Sequence, residues 1–309
     1  MSTALASLLE RLADGPLAPR VESDAPLGAR TTYRVGGRAA ALVTLHRTSE
    51  ADVLAAATAG LGVDTVTIGR GSNLLVSDDG FSGLVVVLAE DYEAVSVEGR
   101  DVHAGAAAKL PVVARATVNA GLTGFEWAVG VPGSVGGAVR MNAGGHGAEI
   151  VDSIVDADIA NLASGEVGRR PCAELALAYR SSSLTDSDVV LAARFSLDVG
   201  DVDAGKAEVL EIVQWRRENQ PGGQNAGSVF TNPPDDSAGR LIDTAGLKGL
   251  RMGTAMVSEK HANFIQADPD GRAADVLAVM RAVRDRVAEH HGVDLHAETH
   301  LIGFPEDEV

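Results

Sequence analysis

The chain has 309 residues, 45% of them hydrophobic, and its 43 acidic against 26 basic residues give a formal charge of −17. That is enough chain for two or three compact units with cores of their own, and a charge that repels nucleic acid and anionic membrane surfaces. The single cysteine, Cys172, excludes an intramolecular disulfide and has no zinc-ligand spacing around it, the N-terminus lacks a basic region leading into an apolar run, and no stretch is long enough to span a bilayer; a soluble cytoplasmic protein is expected.

In chain order, Ser49-Glu50-Ala51-Asp52 reads as a helix cap with an acidic first turn, followed by the apolar face of Val53, Leu54 and Ala57 and a stop at Gly60. Val63 to Ile68 alternates as a strand that runs into the loop Gly69-Arg70-Gly71-Ser72-Asn73-Leu74-Leu75, and Leu84 to Leu88 reads as a second, more buried strand. Leu110, Val113, Ala114, Thr117 and Val118 lie at helical spacing between Pro111 and Gly121. The glycine-rich segment from Gly130 through Gly145 follows, and Val189 to Ala193 predicts another strand. The polar stretch from Gly200 to Gly205 predicts a domain boundary. Beyond it, Val209, Ile212 and Val213 mark a helix, Val276, Val279, Met280, Val283 and Val287 a longer one, and Ala297 to Gly303 alternates as a strand. This mixture predicts an α+β fold.

Glycines let a backbone approach a ligand closely and adopt positive φ, and successive free N–H groups form an anion-binding concavity. The Gly69 loop meets that requirement directly after a strand. So does Gly130-Val131-Pro132-Gly133-Ser134-Val135-Gly136-Gly137-Ala138, which continues without a break into Met141-Asn142-Ala143-Gly144-Gly145. Neither loop has the dinucleotide spacing, because Leu74 stands where Gly69-Arg70-Gly71 would need a third glycine, and there is no Walker-type Lys-Ser or Lys-Thr. Together they predict a large phosphorylated cofactor bound by another architecture.

Seven segments in order carry a resemblance: Thr32 to Gly37, Gly69 to Leu75, Gly130 to Gly145, Tyr179-Arg180-Ser181-Ser182, Gly227 to Pro233, Ala245 to Gly249, and Ser258 to Phe264. They resemble the UDP-N-acetylenolpyruvoylglucosamine reductase (MurB) family over roughly residues 30 to 303. The resemblance implies a two-lobed α+β FAD-binding domain of the vanillyl-alcohol-oxidase (PCMH-like) type, non-covalent FAD, NADPH as hydride donor, and a smaller α+β domain for the UDP-sugar. With the boundary near residue 200, the expected domains are 1–198, with a core over about 30–196, and 199–309, whose last strand returns Glu298 to the active site. The short interval between Arg180 and Ser228 looks like the compact subtype without an inserted tyrosine loop.

The family's reaction reduces an enolpyruvyl ether on UDP-N-acetylglucosamine to a lactyl ether, a step in building peptidoglycan. The resemblance implies Arg180 as stabiliser of the developing anion, Glu298 as its complement and Ser228 as proton donor. It assigns FAD to Tyr33, Arg34, Gly69, Arg70, Gly71, Ser72, Asn73 and Leu74, and to Gly130, Pro132, Gly133, Ser134, Gly136, Gly137, Asn142, Ala143 and Gly144. Tyr179, Arg180 and Asn232 are the expected substrate contacts, although Tyr179 can equally be a packing residue. Taken singly, an Arg or Glu is usually a solvated charge and a Ser a turn residue; the ordered motifs are what raise them. His261 and the pair His290-His291 lack the clustered partners of a metal site, so no metal is expected. The expected partners are therefore small molecules only: a UDP-sugar and NADPH, with no nucleic acid, membrane insertion or obligate protein partner.

Two residues depart from the family's pattern, which often has lysine where Asn219 and Thr231 stand. Both lower the positive charge expected near the UDP-sugar. They leave room for a non-catalytic UDP-sugar or flavin binder, and a flavin oxidase of the same fold acting on an alcohol or sugar is the other alternative.

Overall fold

The structure, a computed structural model, describes residues 2–305. The chain divides into two compact units: Met1–Asp24, Ala40–Arg70 and Ser82–Arg216 form the first, and Ala25–Ala39, Gly71–Phe81 and Arg217–Val309 the second.

The first unit carries helices α1 (Thr3–Leu12), α2 (Thr48–Thr58), α3 (Leu110–Asn119), α4 (Val135–Arg140) and most of α5 (Val202–Asn219). Ser2 caps α1 by accepting from the Leu5 N–H at 3.2 Å, and Leu5, Leu8 and Leu12 bury one stripe of it. In α2 the expected Ser49 cap is replaced: the helix begins at Thr48, and the Glu50 carboxylate reaches back to the N–H groups of His46 and Arg47 at 2.6 and 3.0 Å. A carboxylate can satisfy two donors at once and suits the positive end of the helix, so it displaces the hydroxyl.

Two sheets make the two lobes of this unit. One has the order Val21–Pro26, Arg38–Leu45, Phe81–Leu88, Thr65–Ile68, its last two strands parallel. Parallel neighbours need a crossover, and here the crossover is the segment that begins with the Gly69 loop. The other sheet is antiparallel, with the order Val167–Pro171, Ile154–Asn161, Asp188–Ser196, Asp101–Gly105, Val95–Glu98. Its core includes Ala157, Ile159, Val190 and Phe195, with the Phe125 ring tilted against those of Phe195 and Trp127 at centroid distances of 5.0 and 5.4 Å.

Asp188, almost fully buried, ties this sheet to its loops. It accepts from the Thr185 N–H and hydroxyl at 2.9 and 2.8 Å, from Asn161 Nδ2 at 2.9 Å and from Arg170 Nη2 at 2.8 Å. Burial pushes its pKa up, but these hydrogen bonds outweigh it and hold the carboxyl below its ordinary value. The folded chain therefore binds this proton more weakly than the unfolded chain. Asp188 contributes its stability in full above the unfolded carboxylate pKa of about 3.9, and loses it as pH falls through the lower folded value. Asp188→Asn is expected to cost about 1.5–3 kcal/mol at neutral pH and to narrow the gap between thermal stabilities measured near neutrality and in acid; an unchanged gap would show that Asp188 is not a source of acid sensitivity.

The division between units differs from the expected boundary at 198/199. The Gly200 to Gly205 stretch is a helix start and not a linker: Asp201 Oδ1 accepts from the N–H groups of Asp203 and Ala204 at 3.0 and 2.8 Å. Gly205 lies inside α5, where an added Cβ would come within 2.9 Å of Val118 Cγ1, so glycine lets α5 pack closely on α3. Val209 and Ile212 then join the first unit's core.

The second unit has α6 (Ala238–Thr244), α7 (Ala273–His291) and an antiparallel sheet of Arg251–Met252, Ala255–Val257 and Ile265–Ala267. Val276, Val279, Met280, Val283 and Val287 of α7 are buried with Leu241, Val257 and Phe230. Asp78 caps α7 by accepting from Ala273 and Ala274 N–H at 2.9 and 3.1 Å, and Gly292 ends it in the left-handed region at φ +67°. His300–Ile302 pairs in parallel with Leu74–Val76, so the last strand closes beside the end of the Gly69 loop. Among the described residues no helix is long and apolar enough to cross a membrane.

Candidate active site

Gly69 meets the second glycine loop within the first unit. A Cβ on Gly69 would fall 2.3 Å from the Ser134 Oγ, so the backbone of one loop rests directly on the buried side chain of the other. Gly71, at φ +63°, allows a similarly close approach, with an added Cβ 2.5 Å from the Arg30 carbonyl oxygen. Among the described residues, no backbone carbonyl accepts from the N–H groups of Arg70, Ser72 or Asn73. These donors are available to an anion.

The second loop is used differently. The N–H groups of Val135 and Gly136 donate to the carbonyls of Ala108 and Ala106 at 3.0 and 2.9 Å, and the Gly133 carbonyl accepts from Leu110 N–H at 3.2 Å. Its glycines thus provide close packing more than free donors; a Cβ on Gly136 would lie 2.9 Å from that of Ala106. Asn142 is fully buried, with Nδ2 donating to Glu149 Oε2 at 2.9 Å and to the Ala178 carbonyl at 3.0 Å, while Oδ1 accepts from Val151 N–H at 3.0 Å. Ala143 N–H donates to the Ala138 carbonyl at 2.9 Å, and the Gly144 carbonyl takes Arg180 Nη2 at 3.1 Å. Asn142 to Gly144 therefore support Arg180.

Arg180 sits in a tight turn closed by paired backbone hydrogen bonds of 3.0 Å between Ala178 and Ser181. Its φ of +54° is left-handed, as are those of Asn142 at +40° and His146 at +54°. Such residues cost about 1–3 kcal/mol each and persist where the surroundings fix them. The guanidinium is held by the Gly144 carbonyl, by the Asn142 carbonyl and Glu149 Oε1, both at 3.4 Å, and by the half-exposed Tyr179 ring 5.0 Å away. Glu149 had no signal in the sequence beyond being one acidic residue after a glycine run.

Ser228 and Glu298 come together in the second unit. Glu298 N–H donates to the carbonyl of Val229, the residue after Ser228, at 2.7 Å. Asn263, buried and likewise unassigned by sequence, grips Phe230 like a facing strand: Oδ1 accepts from its N–H at 3.0 Å and Nδ2 donates to its carbonyl at 2.8 Å. Asn73 adds a tie from the glycine loop, its Nδ2 donating to the Glu298 carbonyl at 3.0 Å. Asn232 Oδ1 accepts from Ala238 N–H at 3.0 Å. Thr231 donates its hydroxyl and N–H to the His296 carbonyl at 3.3 and 2.9 Å. Tyr33 is fully buried in this unit's core, where burial pushes its pKa up against a smaller downward pull from the Ala226 backbone. Its neighbour Arg34 is left-handed at φ +55°, its N–H donating to Thr31 Oγ1 at 3.1 Å.

Residues 39–169 match the model of an FAD binding domain, and residues 219–302 match that of the UDP-N-acetylenolpyruvoylglucosamine reductase C-terminal domain. The UDP-N-acetylenolpyruvoylglucosamine reductase of Rubrobacter xylanophilus is 41% identical over 293 residues, covering 94% of this chain and 97% of that one. Its counterpart from Paramagnetospirillum magneticum is 42% identical over 291 residues, covering 93% and 94%. The crystal structure of the Thermus caldophilus reductase superposes with a TM-score of 0.79 at 35% identity, over 92% of this chain and 99% of that one. The chain belongs to the UDP-N-acetylenolpyruvoylglucosamine reductase (MurB) family.

As a MurB-family chain it has the α+β fold with an FAD-binding domain and is an FAD-dependent oxidoreductase. The Gly69 loop fits that cofactor: among the described residues, its N–H groups at Arg70, Ser72 and Asn73 have no backbone acceptor and suit a phosphate. Both loops fall within the matched FAD-binding stretch, while Ser228, Asn232 and Glu298 fall within the MurB C-terminal stretch and Arg180 lies between the two. Among the described residues no cluster of His, Cys, Asp and Glu could hold a metal ion. His291, for example, spends its Nε2 on Thr244 Oγ1 and the Leu241 carbonyl at 3.0 and 3.1 Å.

Proposed function

We propose that the chain catalyses the NADPH- and FAD-dependent reduction of UDP-N-acetylglucosamine enolpyruvate to UDP-N-acetylmuramate, a cytoplasmic step of peptidoglycan precursor synthesis. What carries this is near end-to-end similarity to reductases of that name, in a chain that keeps Arg180, Ser228 and Glu298. The Gly69 to Leu74 and Gly130 to Gly137 loops would hold the cofactor, and the second unit the UDP-sugar.

FAD, held by these loops, would supply the hydride chemistry that links NADPH to the terminal carbon of the enolpyruvyl group. Arg180 stabilises the negative charge that develops on the adjacent carbon and its carboxylate, through charge-assisted hydrogen bonds from an already fixed guanidinium. Glu298 completes the electrostatic surroundings of that carboxylate. Ser228 gives its hydroxyl proton to the carbon; a carbanion is basic enough to take it, and a hydroxyl stays protonated across the working pH range. The strong negative charge of the chain suits a small-molecule enzyme whose anionic ligands meet local cations and free N–H groups.

The test is direct. Purified protein should be yellow, release FAD on denaturation, and consume NADPH in step with formation of the lactyl ether from the enolpyruvyl sugar. Folded, colourless protein that cannot be reconstituted with FAD, or NADPH loss without that product, would refute the proposal.

Asn219 closes α5 and is exposed. Asn219→Lys places a cation at a helix C-terminus, where it is tolerated, and restores the family's common charge. It should contribute about 0.5–1.5 kcal/mol of ground-state attraction to the diphosphate. The sugar's KM should then fall several-fold with little change in kcat, and the gain should shrink in high salt. An unchanged KM at low salt would show that this position does not face the diphosphate.

A further inference from the structure

We infer that Glu149 is a positioning residue for Arg180, holding its guanidinium in the orientation the reduction needs; this rests on the assignment of Arg180 as anion stabiliser. Glu149 carries one of two short strands, Gly144–Gly145 and Ala148–Glu149, that pair antiparallel with Glu149 opposite Gly144. Gly144 makes this placement possible. A Cβ there would lie 2.6 Å from Glu149 Cγ and 2.6 Å from the Ala148 carbonyl oxygen, so any other residue would drive the Glu149 side chain away. The backbone of Glu149 is fixed as well, its N–H donating to Asp152 Oδ2 at 2.7 Å.

The carboxylate divides its two oxygens between two jobs. Oε1 faces Arg180 Nη1 at 3.4 Å, and Oε2 accepts from Asn142 Nδ2 at 2.9 Å. Asn142 Nδ2 also donates to the Ala178 carbonyl at 3.0 Å, at the base of the turn that carries Arg180. Glu149 therefore fixes Arg180 twice, at its guanidinium and, through Asn142, at its left-handed backbone. The carbonyls of Asn142 and Gly144 also anchor it; they accept hydrogen bonds but do not neutralise charge.

A carboxylate beside a catalytic cation also lowers the cation's pull on an anion. Here that cost is limited, because the Glu149 side chain is 31% exposed and its charge is partly screened, whereas Arg180 is 18% exposed and ordered. The gain is preorganisation. A guanidinium that has to be reoriented during the reaction loses most of its benefit, and a displacement of about 1 Å can cost about a hundredfold in rate.

Removal of the carboxylate leaves the two carbonyl anchors, so a smaller loss is expected. In Glu149→Ala, reoxidation of reduced enzyme by the enolpyruvyl sugar should slow about tenfold, while flavin reduction by NADPH, FAD content and thermal stability stay close to wild type. Glu149→Gln keeps an amide oxygen for Arg180 but turns a donor toward the Asn142 amide, so its loss should be about threefold. In an Arg180→Ala background, Glu149→Ala should add nothing, because there is no guanidinium left to position. If Glu149→Ala reoxidises at the wild-type rate while Arg180→Ala is crippled, the inference fails and the role of Arg180 stands. If Arg180→Ala itself reoxidises normally, the assignment of Arg180 fails, and the role of Glu149 with it. If Glu149→Ala does not retain FAD, Glu149→Gln decides: a loss confined to the sugar half-reaction supports the inference, and equal slowing of both half-reactions, or of neither, overturns it.

Discussion

Ser228→Ala is expected to leave reduction of the bound flavin by NADPH intact and to slow its reoxidation by the enolpyruvyl sugar by at least about a hundredfold, the lower range for loss of a positioned proton donor. The two half-reactions separate because only the second needs a proton at carbon. Ser228 is half-buried and follows Gly227, which is left-handed at φ +78°. Its backbone is secured downstream by Asn263 on Phe230 and by Glu298 N–H on the Val229 carbonyl. The substitution removes one oxygen from a segment that these contacts hold in place, so the fold should survive it. Rapid-mixing absorbance of the flavin measures each half-reaction alone; equal slowing of both would mean that Ser228 shapes the cofactor pocket.

Arg180→Ala should cost about 10²–10³-fold in the same sugar half-reaction, the range for loss of one preorganised anion-stabilising donor. Arg180→Lys should recover only part of that. Lysine keeps a point charge but not the planar fork that reaches Gly144, Asn142 and Glu149 together. Arginine also tolerates the left-handed turn no better than alanine does, so backbone strain alone does not separate the variants. Single-turnover kinetics at saturating sugar would show a lower limiting rate; a raised KM at an unchanged limiting rate would reduce Arg180 to a binding residue.

Where sequence and structure agree, a regular period meets a buried face. The valines of α7 recur at helical spacing because one side of the helix enters the core, and Leu84 to Leu88 shows as a continuous apolar run within the buried strand Phe81–Leu88. The strand Ile154–Asn161 was hidden by Asp156, which is buried yet acidic and holds Arg194 Nη2 at 2.5 Å. An ion pair inside a sheet breaks the apolar alternation that betrays a strand. Helix α1 carries a legible stripe in Leu5, Leu8 and Leu12, at the spacing of one buried helix face. The division of units was not legible, because Ala25–Ala39 and Gly71–Phe81 join residues after Arg217 from far away in sequence. For the site, ordered motifs mark Arg180, Ser228 and Glu298 as candidates. They include Asn263 without giving it a role and stop short of Glu149, because what these two residues do depends on the partners they meet.

The most direct test of the proposed activity compares two oxidants for the same NADPH-reduced enzyme under rapid mixing: the enolpyruvyl sugar without oxygen, and dioxygen without the sugar. The sugar is predicted to reoxidise the flavin much faster than dioxygen does and to yield one equivalent of lactyl ether per flavin. Rapid reoxidation by dioxygen with an inert sugar would contradict the proposal and make the protein an oxidase.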